Sequence, residues 1–154
     1  MYLQFLRFLF LFATLTVATS TLAADAAHLK KLAALGECKA CDLKGAVLPF
    51  GSFKNADLSG ADLSGANLKG ADFYSASLKG TKFGKADLTE ANFNGADLTG
   101  ADLRGANLYR VNLLGARLLD ADLSDVTGLG KVTIGEAVLC HTVLPSGIEN
   151  RDCR

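Results

Sequence analysis

From Cys41 to Asp125 one large apolar residue returns every five positions without a break. The series Leu43, Leu48, Phe53, Leu58, Leu63, Leu68, Phe73, Leu78, Phe83, Leu88, Phe93, Leu98, Leu103, Leu108, Leu113, Leu118 and Leu123 has seventeen members, all Leu or Phe. A small residue, nearly always Ala, stands two positions before each, and Asp or Asn most often stands one before. A period of five fits neither a helix nor a simple strand. Self-similarity held over so many units reads as a solenoid. If each unit makes one flat side and one corner, four units close a square and every twentieth residue stacks on itself. Stacked backbones lie roughly 4.8 Å apart, so seventeen units predict a little over four coils and a rod roughly 20 Å tall.

The residue types suit that square. Leu and Phe fill the interior, and Ala is small enough to share it. Gly follows the large residue by two positions in nine of the seventeen units, Gly60, Gly65, Gly70 and Gly100 among them. That is where a tight corner calls for positive φ. Asp and Asn face outward, where short polar side chains bond turn backbone. The register places Phe53, Phe73, Phe93 and Leu113 in one interior column. Phe83 falls in another, with Leu43, Leu63, Leu103 and Leu123. One outer column reads Asp42, Asp62, Lys82, Asp102, Asp122. Carboxylates at ladder spacing repel, and Lys82 is placed to relieve them. Elsewhere Asp alternates with Asn, Ser or Arg, as in Asp57, Ser77, Asp97, Arg117. The plainer account of this alternation is solubility.

The run ADLSGADLSGANLKGADF resembles the A-(D/N)-L-x-x signature of the pentapeptide-repeat family, over about 85 residues. Thr81 and Val111 depart from it in place of Ala, as do Lys82 and Arg117 in place of Asp or Asn. The resemblance implies an all-β solenoid, a right-handed quadrilateral β-helix. Some members of that family mimic duplex DNA and act on DNA gyrase, as acidic cytoplasmic dimers.

Residues 1–23 read as a cleaved signal peptide. Arg7 supplies the positive start, Phe8–Val17 is apolar apart from Thr14 and Thr16, and small residues close the segment at Ala23 or Ala24. The apolar run is short for a bilayer span, so an uncleaved anchor is the lesser reading and none is expected after cleavage. Residues 24–40 form an N-terminal cap. Asp25 is the helix N-cap, Leu29, Leu32 and Leu35 recur at helical spacing, and Gly36 stops the helix. Val47, Pro49 and Phe50 break the polar outer pattern and are read as the place where this helix packs. Residues 41–125 are the β-helix, and 126–154 a C-terminal cap. In that cap Lys131–Ile134 reads as a strand, and Pro145-Ser146-Gly147 as the turn of a hairpin. Leu114 and Leu119 mark where the tail folds back. The ending LCHTVLPSGIENRDCR resembles the Cys-bounded tails of exported bacterial pentapeptide-repeat proteins.

The four cysteines, Cys38, Cys41, Cys140 and Cys153, lie outside the body of the repeat. An even number in an exported chain argues for disulfides, and four allow three connectivities. The pairs belong to opposite ends of the rod, so Cys38–Cys41 and Cys140–Cys153 are favoured unless the tail folds back along it. Closing the second loop stabilises by about 3 kcal/mol. Cys38-Lys39-Ala40-Cys41 also has the spacing of a redox dithiol or half a zinc site. A redox motif belongs in a βαβ context with a helix N-terminus, and this one precedes a β-solenoid. His141 beside Cys140 reads as a surface residue, and His28 as part of a helix face.

Nucleophile elbow, phosphate-binding Gly loop and His-rich metal motif are all missing. The carboxylates are ladders on a convex surface, while catalysis needs a concave site. We expect a non-enzyme without cofactor or metal. Over 154 residues the formal charge is zero, and near −1 once residues 1–23 are removed. That balance gives no footprint for nucleic acid and disfavours a gyrase-directed DNA mimic. The leading expectation is an exported structural or interaction module of the periplasm or envelope, its partner and oligomeric state open. A periplasmic thiol–disulfide protein using Cys38 and Cys41 is the alternative.

Overall fold

The structure, a computed structural model, describes residues 26–149 and 153. The segment read as a signal peptide and the proposed N-cap Asp25 lie outside the described residues. The body is a stack of parallel rungs. On the first face Asp42, Asp62, Lys82, Asp102, Asp122 and Val143 pair in succession. The second face runs Val47, Asn67, Asp87, Asn107, Thr127, and the third Ser52, Asp72, Asn92, Asn112, Thr133. The fourth runs Glu37, Asp57, Ser77, Asp97, Arg117, Val138. The outward residue of each unit is the one that pairs. Its backbone N–H bonds the coil below and the N–H of the next residue bonds the coil above, as in Asp72 N to Gly51 O at 2.8 Å and Phe73 N to Asn92 O at 2.7 Å.

Each corner is a four-residue turn closed by a bond such as Ala61 N to Leu58 O at 2.9 Å. Its third residue is left-handed, which is the type II arrangement. Gly60 at φ 70° supplies this without a Cβ penalty. The corner requirement is nevertheless stricter than the residue choice: Asn55, Lys85, Glu90 and Arg110 adopt φ of 57–61° at the same position. Regular hydrogen bonding around every coil over-determines these corners and holds side-chain-bearing residues there.

The interior is filled. Leu43, Leu68, Phe73, Phe83, Phe93 and Leu108 are fully buried, as are Ala61, Ala71 and Ala91. Phe53 stacks on Phe73 at 5.0 Å between centroids, and Phe73 on Phe93 at 4.8 Å. Phe83, assigned to a different column, meets Phe73 and Phe93 edge-on at 6.0 and 5.9 Å. The columns therefore join across the core as one aromatic cluster, in the geometry the ring quadrupole favours. Where Thr81 replaces Ala, its buried hydroxyl donates to Leu58 O at 2.9 Å, and Thr142 does the same to Leu118 O. No buried side-chain polar atom lacks a partner among the described residues.

The ladder is longer than the seventeen units that define the repeat. It starts at Glu37 rather than Cys41 and runs on to Val143, beyond Asp125. Six rungs on the first and fourth faces correspond to a height of roughly 24 Å. The extension was hidden by one inserted residue. Up to Thr127 the rungs pair at intervals of twenty, but Thr133, Val138 and Val143 pair at twenty-one. The extra residue is absorbed in a 3₁₀ turn at Leu129–Lys131. Lys131–Ile134 is thus not a strand of its own: Lys131 closes that turn and Thr133 is a rung. Gly128 begins the turn at φ 79°, where a Cβ would lie 2.6 Å from Tyr109 N.

Helix α1 spans Ala26–Leu35 and ends at Gly36, φ 66°, whose N–H bonds Leu32 O at 3.0 Å. Leu32 is buried and Leu29 packs on the core, while Leu35 is exposed. The expectation that α1 covers Val47, Pro49 and Phe50 is overturned. Val47 is 74% and Phe50 73% exposed, while the residues of α1 that are covered, Leu29 and Leu32, pack on the core. Phe50 instead lays its ring over Gly70, where a Cβ would come within 2.6 Å of it. At the other end β1 (Thr142–Leu144) pairs antiparallel with β2 (Gly147–Glu149). β1 is also the last rung of the first face, since Leu123 N bonds Val143 O at 2.7 Å. Leu114 and Leu119 are half-buried beneath the final coil, with Asp120 N bonded to Cys140 O.

Candidate functional site

The outward Asp or Asn of each unit serves two purposes. Its Oδ1 accepts the backbone N–H two residues on, as in Asp62 to Ser64 at 3.1 Å, Asp72 to Tyr74 at 3.1 Å and Asn112 to Leu114 at 3.0 Å. That local bond holds the corner and explains why short polar residues recur there. The remaining oxygen reaches a corner residue of the preceding coil, eighteen positions earlier. Lys39 meets Asp57 at 2.9 Å, Lys44 meets Asp62 at 3.4 Å, Lys54 meets Asp72 at 3.2 Å and Lys79 meets Asp97 at 3.3 Å. Amides bridge successive coils as well. Asn92 Nδ2 donates to Asp72 Oδ1 at 3.0 Å, and Asn112 Nδ2 to Asn92 Oδ1 at 3.2 Å.

The column Asp42, Asp62, Lys82, Asp102, Asp122 illustrates the charge logic. Lys82 lies 4.0 Å from Asp62. Arg104 grips Asp102 at 2.6 Å and lies 3.9 Å from Asp122. The Arg104 guanidinium holds the Asp102 carboxyl below its ordinary range, against partial burial and with help from Lys82. At Asp72 partial burial pushes the carboxyl up, but the Tyr74 amide, the Lys54 ammonium and the Asn92 amide outweigh it and the net direction is down. Asp57, Asp62 and Asp97 follow the same balance.

A shallow depression on the corner between the first and second faces is lined by Ser64, Gly84, Lys85, Asp102, Arg104 and Asp125. Its open shape comes from Gly84, which leaves the corner column without a side chain. Its Asp102 and Arg104 are already paired with each other. Exposed apolar side chains gather elsewhere. Val47 is on the second face, Phe50 and Tyr109 on its corner with the third, and Tyr74 on the third face's far corner.

The four cysteines form two bonds. Cys38 and Cys41 join with Cα atoms 5.4 Å apart, and Cys140 and Cys153 with Cα atoms 5.0 Å apart. The first pair is inside the core, at 0% and 2% exposure, with Cys38 in a position of the Leu type and Cys41 in one of the Ala type. The second is at the surface, with Cys140 at 9% and Cys153 exposed. His141, read as a surface residue, is exposed but not isolated: its Nδ1 lies 3.3 Å from Asp120 Oδ1. That contact follows from the insertion, which stacks His141 twenty-one residues above Asp120, both at left-handed corners.

The family model for pentapeptide repeats matches eight copies, over residues 37–73, 52–89 and 86–125. The chain belongs to the pentapeptide repeat family. Its fold is accordingly the right-handed quadrilateral β-helix. A pentapeptide repeat protein from the cyanobacterium Cyanothece 51142 is 30% identical, with TM-score 0.56, over 72% of this chain and 92% of its own. One from the thylakoid lumen of Arabidopsis thaliana is 34% identical, with TM-score 0.50, over 59% of this chain and 68% of its own. QnrB1, a plasmid-mediated fluoroquinolone resistance protein, is 20% identical with TM-score 0.39, over 74% of this chain and 82% of its own. That likeness is too low to carry an argument. Curated proteins give no match. Among the described residues, no helix of this pentapeptide repeat protein is long and apolar enough to cross a membrane.

Proposed function

We propose that this pentapeptide repeat protein is exported and works as a rigid, non-enzymatic module that presents its flat faces to a protein or another component of the periplasm or cell envelope. Helix α1 and the β1–β2 hairpin close the two ends, where a bare solenoid would leave core and backbone open. The observation that carries the reading is a filled rod with one disulfide at each end. Persistent disulfides belong to oxidising compartments, and residues 1–23 have the layout of a leader that would take the chain there. A filled interior leaves no concave chemistry. Ion pairs are most frequent on the first and fourth faces, and the second and third also expose Val47, Phe50, Tyr74 and Tyr109, anchors of the kind interfaces use.

The thiol–disulfide alternative loses ground on burial. An attacking thiolate must reach a sulfur, and Cys38 and Cys41 are enclosed. A DNA mimic needs a strongly acidic surface, and here acids and bases balance with most outward aspartates tied to a lysine or arginine.

Intact mass of the protein recovered from the cell envelope tests the proposal. Alkylation is done with and without prior reduction. The expected species lacks the first 23 or 24 residues and takes up label at all four cysteines only after denaturation and reduction. A full-length chain with four freely alkylated thiols would place the protein inside the cell and end the reading.

A further inference from the structure

Asp120 and His141 stand beside the Cys140–Cys153 disulfide, and the proposed function uses only the bond between the two sulfurs. Among the described residues, the sulfurs of Cys140 and Cys153 and a ring nitrogen of His141 all lie within 4.8 Å of one another. Asp120 Oδ1 holds the imidazole through Nδ1 at 3.3 Å. Soft thiolates and an imidazole are the donor set of zinc, whose ligands stand about 2.0–2.3 Å from the ion in a tetrahedron. Three donors this close need only small side-chain movements to share one. A carboxylate on the far nitrogen of the ligating histidine is the usual outer support of such a site. Asp120 already occupies that place at Nδ1, and in the proposed site the other ring nitrogen, Nε2, takes the ion.

We propose that this corner is a reduction-gated site for a thiophilic divalent cation, zinc by class. In the disulfide state both sulfurs are bonded to each other and the site is closed. A dithiol reductant, itself oxidised to a disulfide, cleaves the Cys140–Cys153 bond and leaves two thiols. The cation then takes both sulfurs as thiolates together with His141, and two protons are released. Water fills the fourth position. The burial contrast makes the gate selective: Cys153 is exposed, while Cys38 and Cys41 are sealed at 0% and 2%. The tail is thereby held to the rod in either state, by a covalent bond or by a metal.

The test uses the folded protein and cobalt(II) as a spectroscopic stand-in for zinc. A phosphine under anaerobic conditions opens the exposed bond, taking up one water oxygen as phosphine oxide. Alkylation and peptide mapping are expected to label Cys140 and Cys153 and to spare Cys38 and Cys41. The reduced protein should then bind one equivalent of cobalt, with thiolate charge-transfer and tetrahedral ligand-field bands that zinc abolishes. The unreduced protein should show neither. Cys140→Ser removes the bands, and Asp120→Ala weakens binding by roughly 10–100-fold, with far-UV circular dichroism checking that each variant keeps its fold. Reduced wild-type protein without these bands overturns the proposal, and so do bands that persist in Cys140→Ser or labelling of Cys38 and Cys41 ahead of the other pair.

Discussion

Asp72 and Phe73 are neighbours in the chain and lie on opposite sides of one wall. Phe73 is fully enclosed, stacked between Phe53 and Phe93, and meets the edge of Phe83. Its partners are copies of itself, one coil up and one coil down. Asp72 accepts a hydrogen bond from the Tyr74 amide and another from Asn92 in the next coil, and faces Lys54 from the coil before. Its partners are complements, and a copy of itself directly above would repel it. Like stacks on like inside; outside, many residues are matched to an unlike one eighteen or twenty positions away, as Asp72 is to Lys54 and Asn92. The repeat is therefore nearly invariant in its Leu, Phe and Ala, and varied where it meets water.

The largest effect should come from breaking the inner rule. Phe73→Ala removes a fully buried ring between two others, and large-to-small changes of this kind cost about 3–5 kcal/mol. Phe53→Ala should cost less, because Phe53 is 7% exposed and has a stacked ring on one side only. Urea unfolding followed by far-UV circular dichroism gives both values. Equal losses would mean that the aromatic column is not cooperative along the rod.

The outer rule predicts smaller numbers at the adjacent position. Asp72→Ala deletes the corner bond, the amide bond from Asn92 and the ion pair together. Hydrogen bonds contribute about 1 kcal/mol each on net and partly exposed ion pairs less, so about 1–2 kcal/mol is expected. Asp72→Asn keeps an oxygen for the Tyr74 amide and loses mainly the charge, and should recover more than half of that. Should Asp72→Ala match Phe73→Ala in the same urea series, the division between an inside that stabilises and an outside that fine-tunes would fail.

The inside was far more legible in sequence than the outside. A five-residue period of Leu and Phe is a direct record of stacking, and the column Phe53, Phe73, Phe93, Leu113 follows by counting in twenties. Counting stops working at the one inserted residue near Gly128. Ile134, Leu139 and Leu144 are again five apart, with Val132, Ala137 and Thr142 two positions before them, and that spacing was the available signal. Without the offset of twenty-one, neither the continuation of the ladder nor the meeting of Asp120 with His141 could be placed. The edge-on approach of Phe83 escaped for another reason, since a linear register assigns columns but not the distance across the core between them. Phe50 needs no helix to cover it, because a bare Gly70 beneath its ring gives it a seat that the repeat pattern does not signal.

The smallest effect belongs to the outer carboxylates as a group, and its sign is fixed by their partners. At Asp57, Asp62, Asp72 and Asp97 partial burial raises the pKa, but hydrogen bonds and lysines lower it by more; at Asp102 Arg104 is the leading cause. All five end below the ordinary range of an aspartate carboxyl. The folded state therefore binds protons less readily than the unfolded chain. The stabilisation is fully present above the unfolded-state carboxylate pKa and is lost as pH falls through the lower folded values. The urea midpoint should stay level from neutral pH down to about pH 5 and fall below about pH 4. The lysine and arginine partners are largely in solvent, so about 1 M salt should remove part of the difference. The hydrogen bonds from backbone amides to Oδ1 are not screened this way, and the part of the acid sensitivity that survives salt measures their share. A midpoint unchanged down to about pH 3 would mean that the outer ladder adds nothing to the stability of the stacked interior.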